Sequence, residues 1–205
     1  MLNKLEIPII NFIQSKFYTS HFNYFDYAAK LISSRKYRIF YLILYFLILI
    51  WYNSFNNLII IPSLYTLSIV SRMINIGIKL IFKRRRPYVF SNTILVDSKT
   101  REKKKKTFSL PSNSIQTSLT FYNVLMLSID NFDNRIRILF LTLIFFTIGT
   151  AKINRGLHYP SDLIVSLVTF KVLSLLYEII SEIMHNIVSI YIYKLYILIN
   201  MLLTD

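Results

Sequence analysis

Three groups of residues in this chain have types and spacings that could do chemistry. They are Lys79 with Arg86-Pro87, the string Pro111-Ser112-Asn113-Ser114, and Lys152 with His158 and Asp162. Lys79 and Arg86 lie about two helical turns apart and can share one face, with Lys83 between them. The proline after Arg86 pushes that residue toward an extended conformation, so its guanidinium can turn off a helix end and hold phosphate oxygens bidentately. Ser112, Asn113 and the free N–H groups of a helix opening at Pro111 suit an anion. The four-residue spacing of His158 and Asp162 lets the carboxylate bond one ring nitrogen and fix the tautomer. The other nitrogen is then free as a nucleophile or base. Each group also has an ordinary reading: a basic membrane boundary with snorkelling side chains, an N-cap, or a surface histidine beside a capping aspartate. All three fall at alternating helix ends, which places them on one membrane face and favours the chemical reading.

The elements that must position these residues are membrane helices. The chain has 205 residues, of which 54% are hydrophobic and 16% aromatic. That composition excludes an ordinary soluble domain and fits an all-α bundle of about six spanning helices in a single domain, residues 1–205. The clearest spans are 37–52, 58–82, 115–129, 138–150 and 163–180. Residues 22–33 are the weakest candidate and combine with 9–17 as an amphipathic or tilted first helix. A polar basic loop covers 83–109, and 186–203 reads as an interfacial or extra membrane helix because Lys194 sits mid-segment. Gly77 and Gly149, inside spans, suggest close helix approach. The net charge of +14 lies mostly in runs between apolar segments. Anionic lipid headgroups are therefore the expected partner, and nucleic acid is not. Absence of cysteine excludes disulfides and thiolate metal sites. No small-residue cleavage site follows the first apolar stretch, so a cleaved signal peptide is not expected. The basic residues on the motif face would point to the cytosol by the positive-inside rule, yet some are there for phosphate, and orientation stays open.

The order and placement of these groups resemble the type 2 phosphatidic acid phosphatases, the membrane relatives of the vanadium haloperoxidases. The family pattern is K-x6-RP, then PSGH, then SR-x5-H-x3-D. Here it reads Lys79-x6-Arg86-Pro87, Pro111-Ser112-Asn113-Ser114, and Ala151-Lys152-x5-His158-x3-Asp162, over a core of 58–180. The resemblance implies that Lys79, Arg86, Lys152, Ser112 and Asn113 bind phosphate oxygens. It also implies that His158, oriented by Asp162, attacks phosphorus to form a phospho-histidine, with no metal or cofactor. The substrate would be a phosphorylated lipid, and the location an endomembrane or plasma membrane.

This sequence departs from the pattern twice. Lys152 replaces an arginine, keeping the charge but not the fork. Ser114 stands where the family has the histidine that protonates the leaving group, and the other two histidines, His21 and His185, lie outside the motifs. Loss of a general acid costs about 10²–10⁴ in rate. One expectation is therefore a weakened phosphatase suited to lipid diphosphates, which release a stable monophosphate. The alternative is an inactive relative that binds phosphorylated lipids. A multi-span channel or transporter is a third reading, which leaves the order of the motifs unexplained.

Overall fold

The structure is a computed structural model that describes residues 2–17, 22–51, 60–96, 102, 107–129 and 133–204. Among these residues the regular structure is entirely helical. The helices are α1 (Leu2–Phe17), α2 (Phe22–Ser33), α3 (Arg35–Trp51), α4 (Ile60–Phe82), the single turn α5 (Pro87–Phe90), α6 (Asn113–Leu127), α7 (Asn134–Asn154) and α8 (Pro160–Thr204). Helices α4, α6 and α8 pack on one another, α7 packs on α6 and α2, and α1 lies against α7.

Three stretches are long and apolar enough to cross a bilayer: Ile60–Phe90, Asn134–Asn154 and Pro160–Ile187. They match the expected spans 58–82, 138–150 and 163–180. The expected spans 37–52 and 115–129 correspond to α3, of 17 residues, and α6, of 15. Helix α6 falls short of the roughly 20 residues that a perpendicular crossing requires, whereas α3 is described only as far as Trp51. The described residues therefore support three crossings where about six were expected. Large apolar side chains such as Leu80, Phe82, Leu139, Phe146, Ile164 and Leu175 point outward from these helices. An exposed apolar surface of this kind is what lipid contact requires.

Several expectations need correction. Residues 9–17 and 22–33 belong to two helices, and α1 begins at Leu2 with Pro8 inside it. The segment 186–203 is not a separate helix but the continuation of α8, which runs 45 residues. At a rise of about 1.5 Å per residue it is roughly 67 Å long, about twice the hydrocarbon thickness. Pro111 lies outside α6, whose N-cap is Ser112. Gly77 has nothing within 4 Å of where a Cβ would stand, so no close approach requires it. At Gly149 a Cβ would lie 2.7 Å from Leu163 Cδ2, which places α7 tightly on α8 as expected.

Two apolar clusters hold the bundle. One gathers Ile10, Tyr88, Ile115, Ile148, Leu157 and Tyr159 near the motif-bearing end, and the other gathers Ile60, Leu67, Val124 and Leu173 deeper in the bundle. Between them, polar side chains join α4 to α6: Asn75 Nδ2 donates to Gln116 Oε1, and Gln116 Nε2 donates to Ser71 Oγ at 3.1 Å. Such bonds tie helices together where the apolar surroundings supply little differential hydrophobic force.

Candidate active site

The motif residues collect where α4 ends, α6 begins, α7 ends and α8 begins. Helix α4 stops at Phe82 because Lys83 turns into the left-handed region with φ 44°. Lys83 therefore leaves the face it was expected to share with Lys79, and Lys83 itself is exposed. Arg86 is extended, with φ −71° and ψ 153°, as the following proline requires. Its Nη1 donates to Leu157 O at 2.8 Å, its Nε to Thr107 Oγ1 at 3.0 Å and its Nη2 to Phe108 O at 3.4 Å. Lys79 Nζ reaches the same Phe108 carbonyl at 3.1 Å. The two cations thus meet at one carbonyl, and Arg86 is anchored to the residue preceding His158. A guanidinium carries five N–H donors, of which three are used among the described residues.

Helix α7 ends through Gly156, whose φ of 62° is readily adopted only by glycine. A Cβ there would also lie 2.4 Å from Ile94 Cγ2. The turn swings the chain into Leu157 and His158, and α8 starts at Pro160, which suits a first helical position. Asp162, in the first turn of α8, is fully buried. Its Oδ2 accepts the Tyr159 N–H at 2.9 Å and lies 3.4 Å from His158 Nδ1, which makes no hydrogen bond among the described residues. The His158–Asp162 contact is therefore loose.

Burial holds His158 well below the usual histidine range, at about 4. Asp162 opposes that effect, while Arg86 and Lys152 add to it. The imidazole is thus neutral at pH 7. The unfolded chain, with histidine near 6.5, binds the proton that the folded chain refuses between pH 6.5 and 4. The contribution of His158 to stability is then fully present above about pH 6.5 and is lost as pH falls through about 4, on the order of 3 kcal/mol in all. Melting of the detergent-solubilised protein followed across that window should fall more steeply for wild type than for His158→Gln. Parallel curves would refute the neutral buried state.

Ser112 is completely buried. Its backbone N–H donates to Ser166 Oγ at 2.8 Å, Ser166 Oγ donates to Asp162 O at 2.6 Å, and Ser112 Oγ has no hydrogen-bond partner among the described residues. The start of α6 is thereby set one turn from Asp162. Asn113 is exposed and Ser114 half-buried in the first turn, where backbone N–H groups lack intrahelical acceptors. Lys152, in the last turn of α7, is half-buried. It is close enough to act on His158 electrostatically, and it also lines a small cavity with Asp26, Lys30 and Arg155.

Two residues at the centre of this end had no sequence motif of their own. Arg84 was only one member of the basic run. Its Nη1 donates to Asp162 Oδ1 at 2.7 Å and to Ser161 Oγ at 2.5 Å, Nη2 pairs with Glu6, and its Cζ lies 3.9 Å from the Tyr159 ring centroid. Glu6, from α1, also accepts the Ser161 N–H at 2.8 Å. Glu6 is the only carboxylate among residues 1–17, but nothing in the sequence ties it to Ser161. Among the described residues no group of three or more His, Cys, Asp or Glu side chains could hold a metal ion.

The fold and this polar end define a helical membrane protein that gathers cations around a buried histidine and its carboxylate. The sequence profile of the PAP2 superfamily matches residues 57–184, and the chain belongs to that superfamily, whose members typically hydrolyse phosphate esters. No curated protein and no solved structure matches the chain.

Proposed function

We propose that this protein is an integral-membrane phosphatase of phosphorylated lipids that works through a phospho-histidine on His158 and prefers diphosphates. The observation that carries this reading is the neutral, buried imidazole 3.4 Å from Asp162, with Arg86 bonded to the carbonyl of the preceding residue. Lys79, Arg86, Lys152 and the first N–H groups of α6, at Asn113 and Ser114, stabilise the equatorial phosphoryl oxygens. Ser112 Oγ offers a further donor. Nε2 of His158 attacks phosphorus in line with the departing oxygen, and Nδ1–H closes on Asp162 as the ring gains positive charge. The P–O bond to the leaving group breaks with its electron pair on oxygen. Water then attacks the phospho-histidine, giving inorganic phosphate and restoring the imidazole.

Ser114 cannot protonate the leaving oxygen near neutral pH. A lipid diphosphate departs as a monophosphate that needs no proton, whereas a phosphatidate must expel an alkoxide. Phosphate release from a polyprenyl diphosphate and from phosphatidate, measured side by side in detergent, tests this directly. The diphosphate should turn over at least about tenfold faster, a conservative share of what a general acid supplies. Faster release from phosphatidate would refute the leaving-group argument. Ser114 also favours a second reading, a phospholipid-binding relative without turnover, which would leave both substrates uncleaved but bound.

A further inference from the structure

We infer that Glu6 is a positioning residue for the His158–Asp162 pair, acting through Arg84 from a helix that lies outside the family-defined region. The inference rests on the phosphatase reading of that pair. Glu6 sits in α1, whereas the superfamily match begins at residue 57. Its two carboxylate oxygens have separate tasks: Oε1 accepts the Ser161 N–H at 2.8 Å, and Oε2 pairs with Arg84 Nη2. The other end of the same guanidinium holds Asp162 Oδ1 at 2.7 Å. Side-chain exposures of 10% for Glu6, 12% for Arg84 and 0% for Asp162 show that water screens little of this cluster.

The geometry sets what Glu6 does for the pair. Fixing Oδ1 on Arg84 stops the Asp162 carboxylate from rotating, so Oδ2 stays directed at the Tyr159 N–H and His158 Nδ1. Glu6 also fixes Arg84 itself, since Nη2 pairs with Glu6 while Nη1 holds Asp162 Oδ1.

Other contacts hold α1 in place without Glu6. Gln14 Nε2 donates to Asn154 O at 2.8 Å and to Leu95 O at 2.9 Å, Gln14 Oε1 accepts Leu95 N at 3.0 Å, and Ile10 is fully buried. Glu6→Gln therefore removes charge while keeping shape and a helix that stays docked.

The test compares full-length wild type, Glu6→Gln and Glu6→Asp in detergent. Three quantities are read: melting temperature, kcat and KM on a polyprenyl diphosphate, and the His158 tautomer. The tautomer comes from 15N spectra of histidine-labelled protein at neutral pH, assigned with His158→Ala. Glu6→Gln should melt close to wild type, keep KM within about twofold and lose about tenfold in kcat, inside the roughly 10²-fold that a small misplacement costs. His158 should shift from the Nδ1–H form toward a mixture, and Glu6→Asp should recover part of both losses. Wild-type kcat and tautomer in Glu6→Gln would overturn the inference, as would a kcat loss that only tracks loss of folded protein. If the wild type hydrolyses nothing, the phosphatase reading fails, and the tautomer comparison alone decides whether Glu6 positions the pair.

Discussion

Replacing His158 with alanine should abolish phosphate release from a lipid diphosphate. Removing the proposed nucleophile of a site whose parts act as a unit costs up to about 10⁶ in turnover, so residual release should fall to the assay background. The substitution should leave the rest of the site in place, because Asp162 keeps Arg84 and the Tyr159 N–H as partners. Lys79 and Arg86 remain fixed on the Phe108 and Leu157 carbonyls. Binding of the diphosphate should accordingly persist within a few-fold while turnover disappears. Rapid alkaline quenching with a substrate labelled in its terminal phosphate should trap a phosphorylated protein in wild type and none in His158→Ala. A variant that still releases phosphate at the wild-type rate would remove His158 from the mechanism.

The parts of this site that were legible in the sequence are those set by local stereochemistry. The i, i+4 spacing brought His158 to Asp162, and the Arg86-Pro87 dipeptide produced the extended backbone. Pro160 opens α8. What escaped was set by contacts between distant residues. Nothing near position 6 signals that its carboxylate caps Ser161, 155 residues away, because only tertiary packing brings α1 across the end of the bundle. Arg84 was hidden for the opposite reason, since four consecutive basic residues look alike until the left-handed turn at Lys83 separates their directions. The reading of 186–203 as a separate segment treated Lys194 as an interfacial marker within it. Lysine is a good helix former and no glycine or proline follows Pro160, so α8 has no local reason to stop. Gly77 was misread because small size permits close approach without requiring it.

Introducing histidine at position 114 should raise hydrolysis of phosphatidate by about 10²–10⁴, the range a positioned general acid supplies. Hydrolysis of a polyprenyl diphosphate should change by less than about tenfold, because its leaving group departs as a stable anion without a proton. Ser114 is half-buried in the first turn of α6, one helical turn or less from Ser112, which the Ser166 hydroxyl ties to Asp162. An imidazole there would project from the helix end that also offers free N–H groups to phosphate. The positive end of the helix and the neighbouring cations would draw its pKa below the ordinary 6.5 or so and make it a stronger acid. The phosphatidate rate in Ser114→His should thus decline as pH rises through that value, while the diphosphate rate stays comparatively flat. A folded Ser114→His protein with unchanged phosphatidate hydrolysis would mean that position 114 does not face the leaving group. Gain on phosphatidate alone, with its new dependence on pH, would locate the missing proton donor at the start of α6 and explain why the native site favours substrates that need none.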